Sequence, residues 1–469
     1  MFFVKQKILV ISYICEKNLK MNSKPVKGFS KLSKEAKIEW IADEYLGGDD
    51  KCINLLKSYW HEDNDVQKIH DEFIENTITN FYIPFGIAPN FKINDKVFCI
   101  PMAIEESSVV AAAAKNASFW LERGGFKSTV ISTTKVGHVH FAWYGDFKNL
   151  KSIFDKIKPI FYKETEKMTA NMRARGGGIL DIDIVNKTDL EPNYYQLVAK
   201  FETCEAMGAN FINSLLEKFS KILEREIQNS DLDEDEKRIV IIMCILSNYT
   251  PECLVRCEVS CSVDELNVDP TIDTKEFAKK FEQAIHVANI EPYRATTHNK
   301  GIFNGIDAVV IATGNDFRAI EACGHTYAAK SGQYRSLTHV EIKDNLFRFW
   351  IEIPIAVGTI GGLTALHPMV KFSHQLLGNP NAQDLMKIIA AVGLAQNFGA
   401  VRSLVTTGIQ KGHMKMHLLN ILNQLGATNE EREKIKFHFK DKVVSHRDVV
   451  DEFCKLRGVK NTSLVKNNH

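Results

Sequence analysis

STVISTTKVGHVHFAW, residues 128–143, is where the texture of the chain changes. Its β-branched and aromatic residues with alternating polarity predict strand. Downstream, a helix is expected over 147–158, a turn at Gly176-Gly177-Gly178, then strand-like ILDIDIV and YYQLVAKFETC. The amphipathic run ANFINSLLEKFSKILEREI follows, and the acidic DLDEDEK reads as a solvated exit loop. Strands interleaved with helices over about 110 residues fit a small α+β domain, 128–237, inserted into a larger one made of 21–127 and 238–407.

Outward from there, 33 to about 80 reads helical, with Ser33 as a capped start. NFYIPFGIAPNFKINDKVFCIPMAIEE then reads as strands and turns, and SSVVAAAAKNASFWLE as a helix closed by Gly124-Gly125. Strand-and-helix material runs from 238 to near Thr407, and 408–469 reads as a helical cap. Lys5 and Lys7 precede an apolar run, Ile8 to Cys15, that falls far short of the ~20 residues of a membrane span. Glu16-Lys17-Asn18 stands where a cleavage site would be, so residues 1–20 are read as a disordered extension, or as translation from a misread upstream start codon, ahead of Met21 rather than as a targeting segment. No other stretch reads as transmembrane, and there is no internal repeat.

The 469 residues allow about three domains. Lys+Arg 59 against Asp+Glu 58 leaves a net charge of +1, so no basic field gathers nucleic acid or an anionic membrane. Any anionic ligand must be held by a few placed cations. Ten cysteines spread over so long a chain imply a reducing, cytoplasmic setting rather than a disulfide framework. Cys253, Val255, Cys257, Val259, Cys261 and Val263 alternate with Leu254, Arg256, Glu258 and Ser260, a strand pattern. Consecutive cysteines would then stand about 13 Å apart, too far to share a metal, and read as buried thiols.

Four places combine polar residues with glycine in ways that packing alone does not require. In PMAIEESSVVAAAA, Glu105 and Glu106 precede an alanine-rich helix; each is either a dipole-stabilised surface acid or a desolvated proton donor. In PYRATTHNKGIFNGIDAVVIATGNDFRAIEACGHTYAA, Arg294, His298, Lys300, Asn304 and Asp316 crowd together among glycines. The apolar IDAVVIAT run argues that Lys300 is buried and paired with Asp316, a combination suited to stabilising an oxyanion. Met207-Gly208-Ala209-Asn210 opens a long helix and offers free N–H groups to a phosphate or nicotinamide. In GIQKGHM, His413 lies four before His417, but no HExxH pattern or third ligand accompanies them, and no metal is expected. Neither a G-x-G-x-x-G fingerprint nor a P-loop is present, so a nucleotide cofactor must be bound by another route.

PMAIEESSVVAAAA, RATTHNKGIFNGIDAVVIATGNDFRA, EAMGANFIN, TIGGLTALHP and GIQKGHM together resemble 3-hydroxy-3-methylglutaryl-CoA (HMG-CoA) reductase of the class II, bacterial and archaeal type. The resemblance implies an α+β fold: a large mixed domain, an inserted ferredoxin-like cofactor domain and a C-terminal helical flap. It implies reduction of HMG-CoA to mevalonate and CoA by two hydrides, in a homodimer with shared active sites. By similarity, Lys300 stabilises the oxyanion and Asp316 hydrogen-bonds in the network positioning Lys300 and Glu106. Glu106 donates the proton in aldehyde reduction, and His413 protonates the departing thiolate. Ser108, Arg294 and Asn304 match positions that hold the HMG portion, while Glu205, Met207, Gly208, Ala209 and Asn210 face the cofactor.

The family's cofactor motif usually begins with Asp where this chain has Glu205, and Lys411 stands where Arg is common. Counting back from Gly176 places Thr169 where an NAD-preferring member has an acid near the ribose. With Lys167, Arg173 and Arg175 close by, NADPH is the expected cofactor and NADH the alternative, because Glu164 and Glu166 also lie near. The competing readings are an inactive homologue serving as a nucleotide-binding or assembly protein, and an unrelated acyl-CoA or aldehyde dehydrogenase. The latter needs an activated cysteine, and none sits in a suitable glycine-rich setting.

Overall fold

The computed structural model describes residues 25–406, 418–439, 442 and 444–459; the extension expected over 1–20 lies outside them. Three short helices open the described chain: α1 (Lys34–Tyr45), α2 (Asp50–Lys57) and α3 (Asn64–Asp71). Ser33, Asp49 and Asp63 each accept a backbone N–H at the helix they precede. Only Lys37, Ile38, Ala42, Cys52 and Gln67 are buried in them. With so little apolar surface they do not join the large core. The chain forms two compact units, Pro84–Gly408 and one built from its ends, Met1–Ile83 and Ile409–His469. This differs from the expected 21–127 segment, since the large core starts only at Ala88.

In Pro84–Gly408, β1 (Phe85–Ile93) and β2 (Lys96–Ala103) form a hairpin turning on Asn94 and Asp95 at φ 47° and 70°, residue types that tolerate the left-handed region. α4 (Val109–Leu121) packs on β1. The stretch 128–143 is not one strand. It splits into β3 (Lys127–Val130) and β4 (Lys135–Trp143), which belong to different sheets. At the break, Ser132 Oγ accepts the Thr134 N–H at 3.2 Å, a local hydroxyl bond that competes with the ladder.

From β4 the chain passes through α5 (Phe147–Glu164), α6 (Glu166–Arg173), β5 (Gly178–Asn186), β6 (Tyr194–Glu202), α7 (Ala209–Gln228) and β7 (Ile239–Leu246). The antiparallel order β5-β6-β4-β7 is that of a ferredoxin-like βαββαβ unit. Val139, Phe141 and Trp143 point inward and share a core with Phe154 and Phe161 of α5 and Leu215 and Phe219 of α7. The inserted fold is as expected, but its edges differ from 128–237. β3 belongs to the large sheet, and β7, beyond the acidic loop, belongs to the small one.

The large sheet is ordered β3-β8-β10-β9, with β8 (Leu254–Ser262), β9 (Thr338–Lys343) and β10 (Leu346–Pro354). The cysteine alternation is realised in and around β8, where Cys253, Val255, Cys257, Val259, Cys261 and Val263 are all buried. Burial pushes the Cys253 thiol up to about 11 and Cys257 to about 12, as inert packing groups require. Around the sheet lie α8 (Thr274–Ile290), α9 (Pro292–Ala312), α10 (Phe317–Ala328), α11 (Pro368–Leu376) and α12 (Ala382–Val405). Among the described residues α12 alone is long and apolar enough to cross a membrane, and 72% of its most apolar window is buried inside the protein. It is the central core helix, packed along α9. A Cβ on Gly305 of α9 would come within 3.0 Å of Gln396 and Val392, so this close approach requires glycine. The C-terminal residues supply α13 (Asn429–His438) and α14 (His446–Arg457) around Leu422, Ile435, Val449 and Phe453.

Candidate active site

α9 begins where Glu291 accepts the N–H groups of Tyr293 and Arg294 at 3.0 and 2.7 Å. His298, Asn299, Ile302 and Phe303 turn into the core. Lys300, Asn304 and Asp307, spaced four and three apart, share another face of the helix. Lys300 Nζ donates to Glu106 Oε2 at 3.1 Å. The lysine side chain is 63% exposed and the glutamate 34%. The expectation of a buried Lys300 held by Asp316 is thus corrected on both counts. The apolar run that follows packs inward from later turns of α9, at Ile306, Ala308, Val309 and Val310, and leaves Lys300 on the open face.

Asp316 is the N-cap of α10. It accepts the backbone N–H groups of Arg318 and Ala319 at 3.1 and 3.3 Å and the Arg318 guanidinium at 3.1 and 3.2 Å. Burial alone would raise its pKa, but Arg318 and the helix-start N–H groups hold it below the ordinary carboxylate range. The preceding Asn315 accepts the Gly358 N–H at 2.8 Å through Oδ1. Asp316 therefore fixes the end of the 313–316 turn rather than the ammonium.

Glu106 lies in the link from β2 to α4, and Ser108 stands at the start of α4 with no side-chain cap bond. Arg294 is half-buried, and burial pushes its guanidinium pKa down. It has no ion-pair partner among the described residues, which suits it to an incoming carboxylate. Asn304 is partly buried one turn beyond Lys300.

On the inserted domain, Gly208 at φ 92° starts α7. A Cβ there would lie 2.5 Å from Thr203 Cγ2, so the helix start sits as close to Thr203 as glycine permits. Thr203 Oγ1 donates to the Ala206 carbonyl at 2.7 Å and accepts from the buried Lys135 Nζ at 2.6 Å. Met207, Ala209 and Asn210 therefore sit on a rigid helix start whose open N–H groups fit an anionic or amide-bearing cofactor. Glu205 is committed elsewhere. Its carboxylate accepts from Thr359 Oγ1 at 2.8 Å and from the Ala382 N–H at 2.7 Å, and Ala206 bridges Ile360. Glu205, Thr359, Lys371, His374 and Asn381 help line a groove of about 510 Å³.

Thr169 does not present its hydroxyl outward: it is buried and bonds the Thr165 and Glu166 carbonyls at 3.1 and 3.2 Å. Its expected ribose contact is corrected, because a helical threonine can satisfy its donor on its own preceding turn. His413 and His417 lie outside the described residues. Thr359, at the start of TIGGLTALHP, ties the inserted segment to the large domain through Glu205, and Asn315, which no local pattern singles out, holds the neighbouring Gly358. Gly361-Gly362 was the available signal for the 358–360 loop.

A cation and an acid paired at 3.1 Å on the large domain, with a glycine-cut helix start on an inserted domain, form an arrangement compatible with an oxidoreductase acting on a carbonyl. The profile of the hydroxymethylglutaryl-coenzyme A reductase family matches residues 36–418. The chain is 36% identical over 420 residues to the 3-hydroxy-3-methylglutaryl-coenzyme A reductase of Archaeoglobus fulgidus, covering 88% of this chain and 90% of that one. It is 32% identical over 413 residues to the probable reductase of Borreliella burgdorferi, covering 86% and 90%. Its fold resembles the class II reductase of Streptococcus pneumoniae bound to NADPH in open conformations, with TM-score 0.67, 33% identity and coverage of 82% of this chain and 100% of that one. The chain belongs to the hydroxymethylglutaryl-coenzyme A reductase family.

Proposed function

We infer that this protein reduces HMG-CoA to mevalonate and free CoA, and that the Lys300–Glu106 contact is the observation carrying that reading. Bound reduced nicotinamide supplies the two hydrides. Arg294 pairs with the free carboxylate of the HMG portion, while Ser108 and Asn304 hydrogen-bond its remaining oxygens. The Lys300 ammonium, with two N–H donors beyond the one given to Glu106, stabilises the oxyanion formed at the thioester carbon. Collapse of the resulting hemithioacetal breaks the C–S bond, and His413 gives the departing thiolate its proton. Reduction of the mevaldehyde so formed leaves an alkoxide, which takes its proton from Glu106. Asp316 acts indirectly, holding the turn that closes α9.

Gly208, Met207, Ala209 and Asn210 are the residues that receive the nicotinamide cofactor, with Glu205 bracing them against Thr359. NADPH is the preferred form and no metal takes part. The enzyme is read as a cytoplasmic homodimer with shared sites, whose partners are HMG-CoA, mevalonate and CoA rather than nucleic acid or membrane. Incubation with HMG-CoA and NADPH tests the reading. Two nicotinamides oxidised per mevalonate formed are expected; binding of the cofactor without turnover would favour an inactive, nucleotide-binding homologue.

A further inference from the structure

Lys135, the first residue of β4, is only 5% exposed, a place lysine takes rarely and usually with an acid beside it. Its Nζ instead donates to Thr203 Oγ1 at 2.6 Å and forms no ion pair among the described residues. Because lysine can only donate, the Thr203 hydroxyl gives its own hydrogen to the Ala206 carbonyl, 2.7 Å away. The Ala206 N–H returns to the Thr203 carbonyl at 3.0 Å. This closes a turn over 203–206, in which Cys204 takes a left-handed φ of 49°, and the turn leads through Gly208 into α7. Lys135 and Met207 also line the narrow cleft where the insertion meets Ile320 and Cys323 of α10.

Two acids belong to the same turn, and both are bonded only to uncharged donors among the described residues. Glu202 accepts the Thr133 hydroxyl through Oε2 and the Cys204 N–H through Oε1, the latter at 2.7 Å. Glu205 accepts the Thr359 hydroxyl and the Ala382 N–H. These bonds fix the two carboxylates in place but leave their charges standing. The charges meet at Cys204: burial, then Glu202 and Glu205, push its thiol pKa up, while Lys135 and Arg175 oppose the rise. A buried ammonium bonded to one hydroxyl is costly by itself, and it is stabilised here by acids that it does not touch.

We propose that Lys135 is a positioning residue for the nicotinamide cofactor, its buried ammonium holding the turn that starts α7 and offsetting the acids of that turn. The anionic cofactor then meets the open N–H groups of the helix start rather than two unopposed carboxylates. Lys135 acts through Thr203 and Ala206, not by contact with the cofactor. The inference rests on the 207–210 segment being the cofactor seat.

Equilibrium binding of NADPH to the whole enzyme, followed by nicotinamide fluorescence, tests it beside steady-state kinetics. Lys135→Met, uncharged and of similar length, should weaken NADPH binding about tenfold or more. KM for NADPH should rise with it, while kcat at saturating NADPH and KM for HMG-CoA stay within about twofold of wild type. Lys135→Gln should behave in the same way and serves if the first variant does not fold. Adding Glu202→Gln to either variant removes one of the acids that Lys135 offsets, and should bring NADPH binding back to within about threefold of wild type. A lysine kept only for packing would not be rescued by the loss of a second charge. NADPH binding unchanged in a folded variant overturns the proposal. A loss that Glu202→Gln leaves in place overturns it too, as does a KM for HMG-CoA that rises as far as that for NADPH. If Gly208→Val binds NADPH as tightly as wild type, it is the placement of the cofactor at the helix start that fails.

Discussion

Lys300 and Glu106 hold each other at 3.1 Å while both remain reachable from solvent, so neither is a core residue retained for packing. Lys300→Ala is expected to lower kcat about a hundredfold or more without loss of fold, as removal of an oxyanion stabiliser commonly does; melting curves beside turnover measurements check both parts. Glu106→Gln should abolish reduction of free mevaldehyde, whereas His413→Gln should spare it, because no thiolate leaves in that half reaction. Equal damage from both would contradict the assigned roles. A different histidine predicts how stability responds to pH. The Thr338 hydroxyl donates to Asn397 Oδ1 at 2.9 Å, so His298 Nε2, 2.6 Å from Thr338 Oγ1, must carry the proton toward it. Nδ1 is buried without a partner. Burial, reinforced by the Arg294 and His339 charges, drops the His298 pKa to about 3. The folded protein thus keeps this ring neutral while the unfolded chain takes up a proton below about pH 6.5. Its contribution is complete above that pH and is lost as pH falls, by about 2 kcal/mol at pH 5. Urea unfolding at about pH 7.5 and pH 5 should show that loss in wild type and a shallower dependence in His298→Gln.

At the level of elements, what could be read from the sequence was periodicity. The alternation around Cys253 to Cys261 became a buried strand, and the Gly208 start of α7 was visible because helix starts have local signals. Two things were not visible for a physical reason. STVISTTKVGHVHFAW has strand propensity throughout, so nothing local says that β3 and β4 join different sheets; partner strands decide that. The apolar run after Lys300 gave its burial but not the rotation of α9, which turns the lysine outward. Glu205 and Thr169 show the same limit, since residue type was read but not whether the polar atoms were already taken. The expected cofactor preference rests on α6 and its flanks. Glu164, which could repel a 2′-phosphate, is bound by Arg225 at 2.5 Å and Lys218 at 2.8 Å, and these partners hold its pKa down to about 2. Glu166 lies 3.6 Å from Arg173. Lys167 and Arg175 have no ion-pair partner among the described residues, leaving cations for the phosphate. NADPH should therefore be preferred, and Arg175→Ala should lower kcat/KM with NADPH about tenfold while changing NADH little, a difference of about 1.4 kcal/mol. A tenfold preference of wild type for NADH would reverse this assignment.

For the whole molecule the question is whether one chain completes a site. Lys300, Glu106, Ser108, Arg294 and Asn304 all come from elements of the large core, while the helix start at Gly208 belongs to the ferredoxin-like insertion. Among the described residues no hydrogen bond or ion pair links the 207–210 segment to Lys300 or Glu106. Instead Glu205 and Ala206 fasten that segment to the 358–360 loop and the start of α12. In the twofold dimer proposed above, the neighbour's insertion would supply the other half, and each interface would build the site twice. Two individually inactive variants can then rescue one another. Lys300→Ala disables the large-domain half, and Gly208→Val disables the cofactor half, because a Cβ at Gly208 meets Thr203 at 2.5 Å. In a heterodimer of the two, one site carries both lesions and the other carries neither. Co-expression with two different tags and purification through both should give heterodimers with about half the activity of wild type. Sites confined to single chains would leave the same heterodimer dead, and a fully active monomer in sedimentation would rule out sharing altogether.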